Sequence, residues 1–396
     1  MAADREIWIT GIGLLSSLGE GPEIHRKRLY DGDVPVVDTK LFPPYIVHPM
    51  TKVDLDRQIP KKGDQRQMEA WQRIGTYAAG LALTDAGVAG NTDLLKKMDL
   101  IVAAGGGERD HAVDMTLLNE QRASNDPDVT LNDGLMRNLR PTLFLAQLSN
   151  LLAGNISIVH GVVGSSRTFM GEESAGISTL QVAQARLAAG QSEIALVGSA
   201  FNAERLDLLI YHAVGGLCLK NEFVPVFAPR RPSGITWASI GAFLVLESRI
   251  HAEARGAGPA ARLGTIHTSR AGRQPGGFES AVSGLLKLAK GNADPANAAI
   301  FSAATGAEPA TSEECRALQK CGLPVRSVTS RLGHGVEAAF PAAVAIAALA
   351  VKEGRLFPPM PNVPIEDKII PSLRHAIVTS VGHWRGEGAA LVEAVR

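Results

Sequence analysis

Apolar residues along the chain form two alternating patterns: short continuous runs, and longer stretches in which they recur every three or four positions. Continuous runs predict buried strands, and recurrence at helical spacing predicts helices with one face in the core. The predicted strands lie at 6–19, 100–104, 156–159, 194–197, 241–247, 298–302, 376–379 and 389–392. The predicted helices lie at 68–87, 141–153, 173–189 and 338–351. Because strands and helices alternate, the pattern predicts an α/β fold around a largely buried sheet.

The same alternation occurs in both halves of the chain, and each half places a glycine-bearing turn after a strand. A polar segment rich in Gly and Ala, at 251–258, follows the apolar strand at 241–247 and marks a boundary. We therefore predict two domains, 1–248 and 249–396. They are compatible with a duplicated α/β unit, although no clean sequence repeat accompanies it.

Composition and charge argue against several classes of protein. Forty basic residues balance 40 acidic ones among the 396, which argues against a nucleic-acid binder and a polybasic membrane-surface protein. No apolar run of the signal-peptide kind follows the N-terminal residues, and the longest apolar stretch, 338–351, is too short for a membrane span. Three widely spaced cysteines favour a cytoplasmic protein without a disulfide framework.

Six segments, in order along nearly the whole chain, carry a resemblance to a known family. They are 8–19 (WITGIGLLSSLG), 150–164, 176–198, 241–257, 330–334 (SRLGH) and 357–362 (FPPMPN). Together they resemble the β-ketoacyl-acyl-carrier-protein synthases, the condensing enzymes of the thiolase fold. The resemblance implies a thiolase-like α/β fold in which two similar halves form layers in the order α-β-α-β-α.

The chemistry that this resemblance implies begins with a cysteine at a helix N-terminus. Its thiolate takes an acyl chain from an acyl carrier protein as a thioester, while the helix dipole and backbone N–H groups lower the thiol pKa and stabilise the oxyanion. Two histidines then help to decarboxylate malonyl-carrier protein and to stabilise the enolate, and a lysine supports one of them. We expect no cofactor and no metal.

Two of these family positions hold a different residue here. The nucleophile stands 17 residues before the glycine that ends its helix, here Gly190, and that position is Glu173. No cysteine lies within 170–175, so a shift of register does not restore it. Aligning the proline of the first histidine motif places Ala304 where the histidine belongs. The family nucleophile and one catalytic histidine are therefore predicted to be lost.

The second histidine motif is retained in part. His334 matches the histidine, but the supporting lysine is replaced, with Thr329 or Arg331 nearest depending on the gap. A purely structural role, capping a helix or bonding a carbonyl, is an alternative for His334. Glu173 is likewise favourable at a helix N-terminus whatever its function, because of the helix dipole.

Candidate substrate-binding residues come from the C-terminal half. The glycine-rich gate that borders the acyl channel in the family is replaced by GHWRGEG at 382–388. We therefore predict Gly382, His383 and Trp384, together with Phe340, as substrate-binding residues. Bulky side chains in place of small ones predict a channel that is partly filled.

The combined losses predict a non-catalytic partner of an intact condensing enzyme, similar to the subunits called chain-length factors. A malonyl-carrier-protein decarboxylase, an active 3-oxoacyl-acyl-carrier-protein synthase and a stand-alone acyl-binding protein are the alternatives. The resemblance also implies an acyl carrier protein as partner. In the family, the segment ahead of the nucleophile, here about 164–170, pairs across a two-fold axis. We therefore expect a homodimer, or a heterodimer with an intact synthase.

Overall fold

Strands and helices alternate along the computed structural model, which describes residues 5–108, 110–138, 144–145, 147–291 and 293–395. The strands are β1 (Ile7–Ser16), β2 (Gly19–Glu20), β3 (Asp38–Phe42), β4 (Tyr45–His48), β5 (Asp99–Ala103), β6 (Ser166–Phe169), β7 (Ile194–Phe201), β8 (Trp237–Ala238), β9 (Ile240–Ser248), β10 (Ala261–Ser269), β11 (Ala298–Ser302), β12 (Val325–Ser327), β13 (His375–Val381) and β14 (Glu387–Glu393). The helices are α1 (Gly21–Tyr30), α2 (Lys62–Gln67), α3 (Ala70–Asp85), α4 (Thr92–Leu95), α5 (His111–Ala123), α6 (Pro127–Asn138), α7 (Leu151–His160), α8 (Glu172–Ala188), α9 (Leu206–Val214), α10 (Arg249–Ala254), α11 (Gly277–Lys290), α12 (Ala310–Cys321), α13 (Thr329–Leu332) and α14 (Ala339–Glu353).

Among the described strands, eleven form one mixed sheet in the order β12-β11-β13-β14-β10-β1-β9-β7-β5-β6, with β2 paired to β1. In chain order, the long strands of the N-terminal half are β1, β5, β6, β7 and β9, and those of the C-terminal half are β10 to β14. Read from its outer edge, each half has its third strand first, followed by its second, fourth, fifth and first strands. The two halves meet where β1 pairs antiparallel with β10. This repeated order confirms the duplicated α/β unit expected from the sequence.

Helices α8 and α14 lie between the two halves of the sheet. One inner apolar cluster joins both helices to strands from both halves, and its members include Ile177, Leu180, Val344, Ile346, Leu244, Ile266 and Val392. Helices α3 and α7 cover the outer face of the N-terminal half, and α11 and α12 cover that of the C-terminal half. The layer order is therefore α-β-α-β-α, as predicted.

Strand β5 shows why the continuous apolar runs indicated a buried sheet. Leu100 and Val102 pack in the outer cluster with α3, whereas Ile101 packs in the inner cluster with α8. Successive side chains of a strand point to opposite faces, so a strand covered on both faces is apolar at every position. The apolar stretch at 338–351 is likewise the buried helix α14.

The strand predicted at 156–159 is wrong, because these residues belong to helix α7. Leu152, Ala153 and Ile156 bury one side of that helix, at the spacing of one helical turn. The β-branched residues Ile156, Ile158 and Val159 suggested a strand, but packing against α3 decides the local structure. The predicted helix at 141–153 falls partly outside the described residues, and the described helix begins at Leu151.

Strand β6 lies at one end of the eleven-stranded sheet. Among the described strands, it pairs with β5 alone, in parallel. It is the segment that the family resemblance assigns to pairing between subunits. At the predicted domain boundary, β9 ends at Ser248 and α10 begins at Arg249. The division at residue 248 stays a prediction. None of the helices in the described ranges combines the length and the apolar character that a membrane crossing needs.

Candidate functional site

Glu173 lies at the start of helix α8, directly after strand β6. The chain makes this turn through Gly171, whose φ of 134° lies in a region that favours glycine, and through Glu172, whose φ is 50°. The turn directs the second residue of the helix inward, and the Glu173 side chain is only 1% exposed. The predicted nucleophile position is thus a buried carboxylate at a helix N-terminus.

The Glu173 carboxylate contacts two of the other predicted site residues. Its Oε1 accepts a hydrogen bond of 3.0 Å from the backbone N–H of His383. The same oxygen lies 3.7 Å from Nε2 of His334, and both side chains are fully buried. Oε2 is buried and has no hydrogen-bond partner among the described residues. An N–H donor and the positive end of α8 both stabilise negative charge at this position.

His334 is held in place by its backbone rather than by its ring. Its N–H donates to the carbonyl of Thr236 at 2.8 Å, and its carbonyl accepts from the N–H of Ala238 at 2.9 Å. Within the described part of the chain, neither ring nitrogen has a hydrogen-bond partner, and the ring lies 6.0 Å from that of Trp237. The backbone pairing with the segment at β8 thus fixes the imidazole beside Glu173.

Arg331, one of the two candidates for the lysine position, bonds elsewhere. Its guanidinium donates to the carbonyls of Asp33 and Pro358, at 3.1 and 2.8 Å, and lies 5.9 Å from the centre of the Phe357 ring. These hydrogen bonds tie α13 to distant loops. The arginine therefore does not take over the support that the family lysine gives to its histidine.

Ala304 lies just beyond the end of β11 and is completely buried. Its methyl group packs in the outer cluster of the C-terminal half, with Ile300 and Val381, and its N–H donates to the hydroxyl of Ser302 at 3.1 Å. The position offers no acid or base. Its equivalence to the family histidine stays a prediction.

The loop between β13 and β14 packs on the first turn of α8. Gly382 donates its N–H to the carbonyl of Gly386 at 2.9 Å, which closes the turn. A side chain at Gly386 would place its Cβ 2.6 Å from Cβ of Ser174, so this close approach requires glycine. Arg385 reaches across to the carboxylate of Glu172 at 3.1 Å. The loop thereby brings the N–H of His383 to Glu173.

A cleft of about 380 Å³ opens beside this turn. Of the predicted substrate-binding residues, Trp384 is in its wall, whereas Phe340 is buried in the inner apolar cluster and does not line it. Sequence reasoning missed most of the wall: Trp71, Gly105, Gly106, Gly107, Met170, Glu172, Asn202, Arg205, Leu208, Tyr211, His212, Val336 and Glu337 all line the cleft. These residues come from loops and helix ends that only the fold brings together.

Two rings of the cleft wall, those of His212 and Trp384, pack against the buried ring of Trp237. The His212 ring lies 4.2 Å from that of Trp237 and 5.3 Å from that of Trp384. Burial lowers the pKa of His212 and of His383, which disfavours a positive charge on either imidazole. This end of the cleft is therefore mainly aromatic.

Glu337 is the acidic wall residue that the sequence analysis did not single out. It lies on the single turn Val336–Ala338 that precedes α14, and it is 5% exposed. Burial, together with the nearby Glu173 and Glu172, raises the pKa of its carboxyl to about 7. A signal was present in the sequence, because Glu337 is a lone charge at the start of a long apolar stretch.

The three cysteines offer no substitute nucleophile at this site. Burial raises the pKa of the Cys218 thiol, and its sulfur accepts a hydrogen bond of 3.3 Å from Nε1 of Trp237. Cys315 and Cys321 lie on α12, in the outer layer of the C-terminal half. Across the described residues, no group of three or more His, Cys, Asp or Glu side chains is arranged to hold a metal ion.

Comparisons with known proteins agree with this fold. Residues 4–252 match the family model of the β-ketoacyl synthase N-terminal domain. The chain is 24% identical over 267 residues to 3-oxoacyl-acyl-carrier-protein synthase 2 of Vibrio cholerae, and the match spans 64% of this chain and 60% of that enzyme. It superposes on the ishigamide ketosynthase/chain length factor with a TM-score of 0.81, at 21% identity over all of both chains.

A second solved structure has the same fold. It is a type II polyketide ketosynthase in complex with its acyl-carrier protein and bound to the hexaketide, with a TM-score of 0.74 and 16% identity over 99% of this chain and 100% of that one. At these identities the two structural matches establish the architecture, and the family model establishes the kinship. The chain belongs to the β-ketoacyl synthase family.

Proposed function

We propose that this chain is a non-catalytic partner of an intact β-ketoacyl synthase and shapes the pocket that receives the growing acyl chain. The observation that carries the proposal is the Glu173 carboxylate, buried at the N-terminus of α8 and bonded to the N–H of His383. Acyl transfer from a carrier protein needs a thiolate at this position.

Carboxylate chemistry does not replace that of the thiolate. Transfer of an acyl group from a thioester to a carboxylate would form a mixed anhydride, which is more reactive than the thioester, so the equilibrium lies against it. The N–H of His383 is also engaged by Glu173 Oε1. An N–H donor in this place would otherwise be free to stabilise a developing oxyanion.

The same residues weigh against the alternative activities. A malonyl-carrier-protein decarboxylase would bring a second carboxylate towards Glu173, and like charges in a buried site repel each other. Ala304 offers no imidazole to stabilise the enolate. An active synthase would require a thiol beside His334, and the nearby polar groups on α8 are Glu172, Glu173 and Ser174.

The open edge at β6 supports the assembly part of the proposal. Its outer N–H and C=O groups are available to a strand of another subunit. One structural relative is a ketosynthase/chain length factor, and another is a ketosynthase in complex with its acyl-carrier protein. By analogy we propose that the partners of this chain are an intact condensing enzyme, across β6, and the acyl carrier protein that serves it.

The decisive experiment co-expresses this chain with each intact β-ketoacyl synthase from its own genome. We expect one of them to co-purify as a heterodimer, and we expect Trp384→Ala, in the cleft wall, to change the length of the product that the pair makes. A chain that stays monomeric at micromolar concentration and binds none of these synthases would contradict the proposal.

A labelling experiment tests the missing nucleophile directly. The purified chain is incubated with acyl-carrier protein or with cerulenin, and the peptide covering 165–180 is analysed by mass spectrometry. We expect no adduct, whereas an intact synthase treated in parallel should be modified in full. A stoichiometric adduct in this peptide would show that the chain carries an acyl group itself.

A further inference from the structure

Among the described residues, one acidic group in the wall of the cleft beside α8 has no ion-pair partner. Two of its charged wall residues are paired: Glu172 with Arg385, at 3.1 Å, and Arg205 with Asp207, at 2.6 Å. No ion pair of this kind involves Glu337 among the described residues. Glu337 is therefore the acidic residue of the wall without a counter-ion in the described structure.

The Glu337 carboxyl faces the cleft rather than a protein partner. In the described structure it makes no hydrogen bond to another residue, and the N–H that it approaches is its own. Its Oε1 lies 2.5 Å from the point that a Cβ on Gly105 would occupy, and Gly105 is part of the same cleft wall. This carboxyl is 5% exposed, lines a cavity and has no partner in the described structure. A hydrogen-bond donor or a cation bound in the cleft would stabilise it.

The rest of the wall favours a cation. The rings of Trp71, Tyr211 and Trp384 line the cleft. The face of an aromatic ring attracts positive charge, most strongly where water is excluded. A carboxylate ligand would instead meet Glu337 and Glu172, and a plain hydrocarbon chain would bury the Glu337 carboxyl without giving it a partner.

We propose that this cleft binds the ammonium group of an amino-bearing acyl chain, with Glu337 as its counter-ion and the three aromatic rings as its walls. This inference rests on the proposed function, since it names the kind of acyl chain whose pocket the subunit shapes. The ammonium group follows from the charge and the aromatic lining of the cleft, and the acyl chain follows from the proposed function.

Protonation of Glu337 gives the binding a characteristic pH dependence. Burial raises the pKa of this carboxyl to about 7, and the groups that act on it are Glu172 and Glu173 on α8 and the guanidinium of Arg205. An ammonium ion binds the ionised carboxylate, so binding at pH 7 should release protons. Affinity should rise as the pH increases through 7 and level off above it, since the amine itself stays charged below about pH 10.

The test measures binding of small thioesters to the purified chain by calorimetry. The probes are the N-acetylcysteamine thioesters of 6-aminohexanoate, heptanoate and adipate, which end in an ammonium, a methyl and a carboxylate group. We expect the ammonium probe to bind about tenfold more tightly than the methyl probe, from an ion pair and cation–π contacts. The carboxylate probe should bind most weakly.

Two variants separate binding through Glu337 from a general effect of replacing a buried carboxyl. Glu337→Gln should abolish the preference for the ammonium probe and the proton release. Glu314→Gln is the matched control, because Glu314 is likewise buried and burial raises the pKa of its carboxyl to about 7, but it is fully enclosed on α12, outside the cleft. This control should bind like the wild type. Thermal unfolding and circular dichroism verify that both variants are folded.

Equal binding of the ammonium and methyl probes would overturn the inference, and so would a folded Glu337→Gln variant that keeps the preference. Either result would leave the non-catalytic partner role untouched, because that role is tested by labelling and co-purification. Conversely, an acyl adduct on 165–180 would refute the partner role without altering the measured affinities.

Discussion

Oε1 of Glu173 lies 3.7 Å from Nε2 of His334, and solvent reaches neither side chain. The acid belongs to the N-terminal half and the base to the C-terminal half. In the function that we propose, this pair stands where an intact synthase has its nucleophile and one histidine. On that proposal, restoring condensation requires more than one change.

Glu173→Cys alone should not restore condensation. A thiol would stand beside His334, but Ala304 offers no second imidazole, and loss of one electrostatic donor costs ~10²–10³ in rate. Adding Ala304→His should raise the rate more than either change alone, because such residues act as a unit. The rate is measured as 3-oxoacyl product formed from malonyl-carrier protein, with an intact synthase as reference. A single Glu173→Cys variant that approaches the reference rate would refute this prediction.

Gly176→Ala should destabilise the fold by about 1–3 kcal/mol, through overpacking. A Cβ at Gly176 would lie 2.1 Å from the carbonyl oxygen of Glu337, so α8 and the turn before α14 would have to separate. Gly154→Ala on α7 is the matched control, since its Cβ would meet only a Leu151 methyl at 3.8 Å. This control should stabilise the protein by about 0.4–1 kcal/mol, because alanine restricts the unfolded chain. Urea unfolding compares the two variants, and equal effects would contradict the prediction.

Glu314 should make the stability of the protein fall as the pH rises. Its Oε1 accepts hydrogen bonds from the hydroxyls of Ser302 and Thr379, both at 2.8 Å, while burial raises the pKa of its carboxyl to about 7. The folded state therefore holds this proton more tightly than the unfolded chain, whose glutamate pKa is about 4.3. The stability contribution is complete below about pH 4 and is lost as the pH rises through about 7.

Glu314→Gln removes this titration. Relative to the wild type, the variant should gain stability between pH 5 and pH 8, by up to about 1.4 kcal/mol per pH unit below the folded pKa. Urea unfolding at pH 5, 6, 7 and 8 measures the difference. Glu120→Gln, at an exposed position on α5, serves as the control and should follow the wild type. A constant difference between Glu314→Gln and the wild type across this range would show that Glu314 does not titrate as expected.

Thr168→Pro should weaken the dimer that we expect at the edge strand β6. The carbonyls of Ser165 and Phe169 accept from the N–H groups of Leu100 and Ala104, so these positions face β5. Backbone groups alternate along a strand, and Thr168 therefore directs its N–H to the open edge. Proline removes this donor without breaking the pairing with β5.

The dissociation constant of the dimer should rise about 10-fold to 100-fold, as loss of one donor from each subunit predicts. Analytical ultracentrifugation measures it. Thr168→Val keeps the N–H and should remain dimeric. If Thr168→Pro dimerises as tightly as Thr168→Val, the interface does not use this strand.

Much of the fold could be predicted from the sequence, because apolar patterning determines which segments are buried. The predicted strand at 298–302 has the bounds of β11, and helix α8 lies within one residue of its predicted ends. The misassigned segment at 156–159 shows the limit: β-branched residues are also accepted by a helix whose face packs on α3. Local composition could not distinguish these cases, since the contact with α3 decides between them.

For the candidate site, the sequence could predict only where each residue stands along the chain. Counting from Gly190 placed a carboxylate at the start of α8, where the structure has it. Tertiary packing determines the distance from Glu173 to His334. It also determines which carbonyls Arg331 bonds, and that Glu337 lines the cleft. Spacing along the chain carries no information on such contacts, because these residues lie on different elements.

The repeated strand order has a consequence for how this protein changes over evolutionary time. Helix α8 follows the third long strand of the first half, and α14 follows the third of the second half. Glu173, at the start of α8, and Glu337, on the turn before α14, therefore occupy related places in two copies of one strand order. The centre of the molecule is the boundary between those two copies. Each copy is supported by its own strands, so the residues of one copy can change while those of the other stay the same. A protein built in this way can change its chemistry and retain its architecture.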